Sequence, residues 1–130
     1  MTTNPLIRIL YVEDEPDIQI VARLALETLG GFTVAVCGSG PEALSRAPDF
    51  LPQLILLDVM MPIMDGPGTL KLLRALPAFA ATPVIFMTAK VQPSEVAHYL
   101  ALGAVAVIPK PFDPMTLSGQ VQAIWAQCHG

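Results

Sequence analysis

The chain is 130 residues long, 53% hydrophobic and 14% charged, with a formal net charge of −4 at pH 7. That length suits one domain with a single core, which we expect to span residues 1–130. The apolar content is enough to offset the entropy of ordering, so intrinsic disorder is excluded. The net negative charge argues against nucleic acid as a partner, since such binding needs a clustered excess of lysine and arginine.

We expect no secretion signal at the beginning of the chain. Arg8 lies inside its apolar stretch, and three acidic residues at 13–15 follow at once, a pattern that indicates a strand rather than a signal peptide. Asp58 and Lys110 interrupt the two most hydrophobic regions, which leaves no apolar run long enough to span a bilayer. We therefore expect a cytoplasmic protein that does not associate with membranes.

Short apolar runs alternate with segments of helical periodicity along the chain. The runs predict five strands, at residues 7–12, 33–36, 54–57, 84–87 and 105–108. Four of them are almost continuously apolar, which is typical of parallel strands covered by helices on both faces. With right-handed crossovers, this alternation predicts a doubly wound α/β domain of five strand–helix units.

Prolines mark the predicted starts of the helices. Those that fit a first helical position are Pro16, Pro41, Pro67, Pro93 and Pro114. In the first helix, the face predicted to cover the sheet consists of Ile18, Val21, Ala25 and Leu29, before a stop at residues 30–31. In the last helix, the predicted inner face consists of Leu117, Val121, Ile124 and Cys128.

Polar residues follow four of the predicted strands. They are Glu13 and Asp14 after the first strand, Asp58 after the third, Thr88 (followed by Ala89) after the fourth, and Lys110 after the fifth. In an open parallel sheet, ligands bind beyond the carboxyl ends of the strands at the topological switch point. We therefore expect these residues to converge on one edge of the sheet.

This set of side chains indicates phosphoryl transfer. Three neighbouring carboxylates resist joint ionisation unless a cation compensates them, and oxygen ligands favour a hard ion such as Mg²⁺ or Ca²⁺. Lys110 and Thr88 would complement phosphoryl oxygens. The alternative is that the carboxylates only cap the following helices, as Asp14 or Glu15 could do alone. Capping, however, requires no matching lysine and threonine on neighbouring strands.

The chain resembles the response-regulator receiver family from residue 9 to about residue 125. The matching segments are YVEDE at 11–15, LLDVMMP at 56–62 with DG at 65–66, MTA at 87–89 and PKPF at 109–112. The resemblance implies a flavodoxin-like fold with strand order 2-1-3-4-5. It also implies a signalling switch in a two-component phosphorelay.

By this resemblance, Asp58 is the phosphoacceptor. Its phosphoryl group would come from a phosphohistidine on a sensor histidine kinase or a histidine phosphotransfer protein. Mg²⁺ is the implied cofactor, held by Asp14, Asp58 and the backbone carbonyl of Met60. Glu13 would act mainly through a water bound to the metal.

The resemblance also assigns the groups that would bind the phosphoryl oxygens. Lys110 would pair with one of them, and the Thr88 hydroxyl and the backbone N–H of Ala89 would bind the others. The peptide bond between Lys110 and Pro111 would be cis, which turns the lysine back into the site. The protein would assist its own phosphorylation and dephosphorylation, and would not be an enzyme acting on other substrates.

The implied output is a change in partner binding. Phosphorylation would bias two conformations, and a downstream protein would bind the face made by the fourth helix, fifth strand and fifth helix. The prediction also leaves open whether the protein forms a homodimer. Val107 occupies a position where many receivers have Tyr or Phe, and the β-branched side chain cannot swing as a ring does. We therefore expect only a modest shift of this face.

Two further positions are expected to set the lifetime of the phosphoryl group. Met60 and Lys90 each lie two residues beyond a site residue, Asp58 and Thr88 respectively. An apolar Met60 would hinder attack by water and give a long-lived phosphoryl group. In the alternative interpretation, Met60 simply packs over its loop.

Two other functions compete with the switch. A haloacid-dehalogenase-like phosphohydrolase uses a similar set of residues, but it normally has a second aspartate two residues beyond the nucleophile, where this chain has Met60. A constitutive interaction module would keep the fold without phosphorylation. Val107 slightly favours that module, whereas Asp58, Thr88 and Lys110 argue against it.

The remaining chemically reactive or aromatic residues are given no catalytic role. We expect His98 and His129 to face solvent, Cys37 and Cys128 to have no metal or redox function, Phe112 to pack under the last helix and Trp125 to lie in the core.

Overall fold

The computed structural model describes residues 5–129, and side chains through residue 128. Its strands are β1 Arg8–Val12, β2 Thr33–Cys37, β3 Leu54–Asp58, β4 Val84–Thr88 and β5 Ala106–Pro109. They form one parallel sheet in the order β2-β1-β3-β4-β5. The flavodoxin-like doubly wound fold is confirmed, and each strand begins or ends within one residue of its prediction.

Helices separate the strands along the chain. They are α1 Pro16–Leu24, α2 Gly40–Phe50, α3 Gly66–Arg74, α4 Pro93–Ala101 and α5 Leu117–His129. A π-helical turn at Ala25–Leu29 extends α1, and a 3₁₀ turn at Pro77–Phe79 follows α3. Within the residues described, none of these helices has the length and apolar character needed to cross a lipid bilayer.

The predicted helix starts hold for four of the five prolines. Pro16 and Pro93 are first helical residues, and Pro41 and Pro67 are second. The prediction for Pro114 is wrong, because α5 begins only at Leu117. The backbone N–H of Leu117 donates to the carbonyl of Asp113 at 3.0 Å, so Pro114 lies in a turn that leads into the helix.

The sheet separates two apolar layers. One layer lies on the side of α2, α3 and α4 and includes Leu10, Ile55, Leu73, Phe86 and Tyr99. The other lies on the side of α1 and α5 and includes Ile9, Leu26, Leu56, Ile85 and Trp125. Strands β3 and β4 are buried along their whole length, as expected for central strands covered on both faces. The core position of Trp125 is confirmed.

The inner face of α1 differs from the prediction. In α1 and the π-helical turn after it, the buried residues are Ala22, Ala25 and Leu26, so the prediction holds for Ala25. Val21 and Leu29 are exposed, which corrects those two positions. The predicted apolar stripe, which included Ile18 and Val21, lies about one residue around the helix from the stripe that is buried. The small Ala22 and Ala25 pack in the apolar layer on this side of the sheet, and the larger Val21 is exposed.

The inner face of α5 is largely as predicted. Leu117 and Val121 are buried and Ile124 is partly buried, but Cys128 is exposed, which corrects that position. Ser118 is also buried, and its hydroxyl donates to the carbonyl of Ala25 at 2.9 Å. This bond joins α5 to the π-helical turn.

The remaining predictions concern the burial of cysteine, histidine and phenylalanine side chains. Cys37 is buried in β2, and His98 is exposed on α4 as predicted. Phe112 is partly buried against the layer that contains α5. The predicted exposure of His129 lies outside the described side chains.

Candidate functional site

Three carboxylates meet at the carboxyl edge of the sheet. Glu13 and Asp14 follow β1, and Asp58 is the last residue of β3, which pairs with β1. One carboxylate oxygen from each residue lies within 4.8 Å of the other two. Glu13 is fully buried and Asp58 is 2% exposed, whereas Asp14 is partly exposed. The predicted convergence of these residues is therefore confirmed.

A lysine from the far side of the sheet enters the same cluster. The Nζ of Lys110 donates to Oε1 of Glu13 at 3.1 Å and lies 3.3 Å from Oδ1 of Asp58. The backbone N–H of Lys110 donates to the carbonyl of Thr88 at 2.9 Å, which ties the loop after β5 to the end of β4. The Lys110–Pro111 bond is cis, as predicted.

Burial and charge shift the protonation of the cluster. Burial, with a smaller contribution from the charge of Asp58, raises the pKa of Glu13 to about 7, although the bond from Lys110 opposes this change. Burial by itself would lower the pKa of Lys110, but the bond to Glu13 and the charge of Asp58 outweigh it and raise the pKa. The lysine therefore stays an ammonium group, and it holds two of the three carboxylates.

The Thr88 side chain is poised at the end of β4. It is 2% exposed, and its hydroxyl oxygen accepts a hydrogen bond from the backbone N–H of Lys90 at 3.0 Å. Ala89 and Lys90 follow as exposed loop residues. Because the hydroxyl is both a donor and an acceptor, it can leave this bond and donate its proton to an acceptor near Asp58.

The loop after β3 approaches its own backbone closely. A β-carbon added to Gly66 would lie 2.6 Å from the carbonyl oxygen of Asp58 and 2.8 Å from the α-carbon of Val59. The backbone N–H of Gly66 donates to the carbonyl of Val59 at 2.8 Å. Only glycine permits this approach, so Gly66 fixes the backbone that carries Asp58. Met60, in the same loop, has a side chain that is 62% exposed.

Tyr11 is a neighbour of the site for which the sequence predicted no role. It is fully buried in β1, and its hydroxyl donates to Oε1 of Glu13 at 3.4 Å. Burial first, and then the charges of Glu13 and Asp58, raise the pKa of Tyr11. The signal for this contact was the spacing: residues two apart at the end of a strand point to the same face.

The carboxylates have the donor chemistry of a site for a hard cation. Their oxygens are close enough to share one ion, and one ammonium group does not neutralise three carboxylates. Mg²⁺ commonly binds through one or two carboxylates while it keeps several waters. Glu13, Asp14 and Asp58 therefore fit such an ion.

Comparisons with known proteins agree with this geometry. The family model described as the response regulator receiver domain matches residues 9–122. The DNA-binding response regulator MtrA of Mycolicibacterium smegmatis is 36% identical over 116 residues, which cover 89% of this chain and 49% of that protein. Response regulator Rre1 of Synechocystis is 34% identical over 121 residues, which cover 93% of this chain and 52% of that protein.

Solved structures with the same architecture are also similar. The chemotaxis protein CheY4 of Vibrio cholerae has a TM-score of 0.85 and 29% identity, with 92% of this chain and 99% of that chain covered. A response regulator from Desulfuromonas acetoxidans has a TM-score of 0.83 and 27% identity, with 95% and 99% covered.

The chain belongs to the response regulator receiver domain family, whose members are the phosphoacceptor domains of two-component signalling. Receiver domains bind Mg²⁺ at an acidic pocket, and response regulators interact with sensor histidine kinases. The chain spans about half the length of the curated relatives that it matches, 49% of MtrA and 52% of Rre1.

Proposed function

We propose that Asp58 is the phosphoacceptor of this chain and that Lys110, Thr88 and Ala89 bind the phosphoryl oxygens. The observation that carries the proposal is the Lys110 ammonium group, which lies 3.1 Å from Glu13 and 3.3 Å from Asp58 within a cluster of three carboxylates. This arrangement places a cation where negative phosphoryl oxygens would arrive.

The chemical step is a nucleophilic displacement at phosphorus. A carboxylate oxygen of Asp58 forms a bond to phosphorus while the phosphorus–nitrogen bond of the phosphohistidine breaks, and the departing imidazole keeps the electron pair and takes up a proton. The product is a carboxyl–phosphoryl anhydride. The site residues position the donor and neutralise charge, which is the main contribution a protein makes to phosphoryl transfer.

Lys110 and Thr88 have the partners that this role requires. Lys110 would move from Glu13 toward a phosphoryl oxygen, while the hydroxyl of Thr88 would leave the backbone N–H of Lys90 and turn toward the phosphoryl group. Ala89 is exposed directly after Thr88, and its backbone N–H would bind a third oxygen. Movement of the Thr88 loop would then carry the signal.

Mg²⁺ is the proposed cofactor. The residues that would hold it are Asp14, Asp58 and the backbone carbonyl of Met60, with Glu13 acting through a bound water. When bound, the ion would supply positive charge that offsets the negative charge of the carboxylates and of a phosphoryl group. The three acidic side chains position it, and Lys110 keeps the remaining charge balanced.

The wider biological role is proposed on the same basis. The phosphodonor is a sensor histidine kinase or a histidine phosphotransfer protein, and the downstream partner is a protein that binds the face made by α4, β5 and α5. Residues 1–130 act as one receiver domain in the cytoplasm, without binding nucleic acid or membranes. The chain works as a switch rather than as an enzyme that turns over external substrates.

Intact mass spectrometry tests this function. The protein is incubated with Mg²⁺ and acetyl phosphate, and we expect one base-labile phosphoryl adduct that is lost with EDTA and in Asp58→Asn. Asp65→Asn is the matched control: Asp65 lies in the same loop, but its side chain caps α3 by accepting from the backbone N–H of Gly68 at 2.8 Å. That variant should still form the adduct.

Two results would contradict the proposal. One is an adduct that persists in Asp58→Asn. The other is a folded wild type that forms no adduct with either acetyl phosphate or a phosphorylated histidine donor, which would favour a constitutive interaction module. Steady turnover of small phosphomonoesters would instead favour a phosphohydrolase.

A further inference from the structure

The structure places a buried hydroxyl beside the acidic cluster. Tyr11 is fully buried in β1, and in the described part of the chain its hydroxyl has Glu13 as its hydrogen-bond partner. The distance of 3.4 Å is long for a bond between two oxygens, which are usually about 2.7–2.8 Å apart. A buried hydroxyl costs free energy unless it forms a hydrogen bond, so the bond to Glu13 also satisfies the tyrosine hydroxyl.

Glu13 is held by donors on both of its oxygens. Tyr11 and Lys110 donate to Oε1 at 3.4 and 3.1 Å, and the backbone N–H of Glu15 donates to Oε2 at 3.2 Å. The carboxylate is fully buried, so these donors replace the water that an exposed carboxylate would have. Together they fix the direction in which Glu13 faces Asp14 and Asp58.

The two side chains that donate to Oε1 of Glu13 would respond differently to phosphorylation. Lys110 also lies 3.3 Å from Asp58 and, under the proposed function, moves to a phosphoryl oxygen. The ring of Tyr11 is buried among core residues, so its hydroxyl would stay beside Glu13. When Lys110 turns to the phosphoryl group, the tyrosine hydroxyl is the side-chain donor that remains on Oε1.

We propose that Tyr11 is a positioning residue of the cation site, whose hydroxyl keeps Glu13 oriented toward Asp14 and Asp58 while Lys110 exchanges between Glu13 and the phosphoryl group. This inference rests on the proposed function, because it takes the acidic cluster to be a Mg²⁺ site. Groups that orient the residues around a metal commonly change its affinity by about 10- to 100-fold when they are removed.

The test compares Tyr11→Phe with Tyr99→Phe. Both variants lose one hydroxyl and keep the ring, and the chain has two tyrosines. Tyr99 lies on α4 with its ring 5.5 Å from that of Phe86, in the apolar layer on the other side of the sheet from Tyr11. Mg²⁺ titration by isothermal calorimetry should show about tenfold weaker binding in Tyr11→Phe and an unchanged affinity in Tyr99→Phe.

A second readout separates positioning from a general loss of stability. With acetyl phosphate, Tyr11→Phe should need about tenfold more Mg²⁺ for half-maximal phosphorylation but reach the wild-type rate at saturating Mg²⁺. A residue that only packs the core would change the thermal stability and leave the dependence on Mg²⁺ as it was.

A third readout needs no change at Tyr11. In Tyr99→Phe, Tyr11 is the remaining tyrosine, so Mg²⁺ should produce a tyrosine difference spectrum in the near ultraviolet even if Tyr11→Phe does not fold. Absence of that spectrum, or wild-type Mg²⁺ affinity in a folded Tyr11→Phe, would overturn the role of Tyr11 alone. A wild type that binds no Mg²⁺ would overturn the cation site and this inference together.

Discussion

The acidic cluster contains more negative charge than its one lysine neutralises. Glu13, Asp14 and Asp58 lie within 4.8 Å of one another, and Lys110 contacts two of them. Like charges at such distances disfavour the folded state unless a cation joins them. The three carboxylates would thereby couple the stability of the domain to the Mg²⁺ ion that we propose it binds.

Mg²⁺ should therefore stabilise the folded protein. At a concentration one hundred times its dissociation constant, we expect about 2.7 kcal/mol of added stability, measured as a shift of the thermal unfolding midpoint. Asp14→Asn should lose most of this shift, and sodium chloride at matched ionic strength should not reproduce it. An equal shift in wild type and Asp14→Asn would contradict the assignment of Asp14 as a ligand.

Met60 should protect the phosphoryl group from water. Its side chain is 62% exposed in the loop after β3, so it is not packed away in the core. We expect Met60→Asn to lose its phosphoryl group several-fold faster, because a polar side chain can orient a water for attack on the anhydride. The decay of the adduct is followed by mass spectrometry.

Met115→Asn is the matched control for this lifetime. Met115 is also exposed, but it lies in the turn before α5. Its substitution should leave the decay unchanged. Faster loss from wild type than from Met60→Asn would show that Met60 does not shield the anhydride.

At the level of elements, the loop between β3 and α3 depends on a close approach at Gly66. Gly66→Ala would push its new methyl group against the carbonyl of Asp58, 2.6 Å away in the present backbone. We expect a loss of about 1–3 kcal/mol in the free energy of unfolding and slower phosphorylation, because Asp58 shifts with its backbone. Urea unfolding and the rate of adduct formation measure the two effects.

Gly119→Ala tests whether these effects are specific. A β-carbon at Gly119, in α5, meets no atom within 4 Å. That variant should be as stable as wild type or more stable by up to about 1 kcal/mol, because alanine favours a helix more than glycine does. Equal losses in both variants would argue against a special role for the approach at Gly66.

The positions of the strands and helices could be predicted from the sequence better than the face that each helix buries. The apolar runs and prolines located the strands and four helix starts, because burial and fixed backbone angles act locally. They did not predict that α1 and the turn after it bury Ala22 and Leu26 rather than Val21 and Leu29. Nor did they predict the π-helical turn at Ala25–Leu29, which is bound by Ser118 from a helix distant in sequence.

For the whole molecule, strand order is what creates the site. Because β1 and β4 both pair with β3, and β5 pairs with β4, residues distant in sequence reach one edge. Lys110 meets Glu13 across 97 positions of sequence. The strand-end residues could thus be predicted to converge, but the bond from Tyr11 to Glu13 required side-chain geometry.

Val107 sets an expectation for the movement of the whole domain. It is partly buried in β5 and packs against the layer that contains Phe86 and Tyr99. A β-branched side chain cannot turn inward as a ring does, so phosphorylation should shift the face of α4, β5 and α5 only modestly. Amide chemical shifts should change most in the loops after β3 and β4.

Nuclear magnetic resonance of the phosphorylated and unphosphorylated protein checks this expectation. Large changes spread across α4, β5 and α5 would contradict it. The variant Val107→Phe is the informative comparison, because it introduces a ring at the same place. It should enlarge the changes on that face if the missing aromatic side chain is what limits them.

The central claim is that Asp58 itself carries the phosphoryl group. The most direct measurement is reduction of the phosphorylated protein with borohydride, which converts an aspartyl phosphate into homoserine, followed by peptide sequencing in a mass spectrometer. We predict homoserine at position 58 and aspartate at positions 14 and 65. Homoserine at another position, or unmodified Asp58 in protein that carries the adduct, would contradict the account.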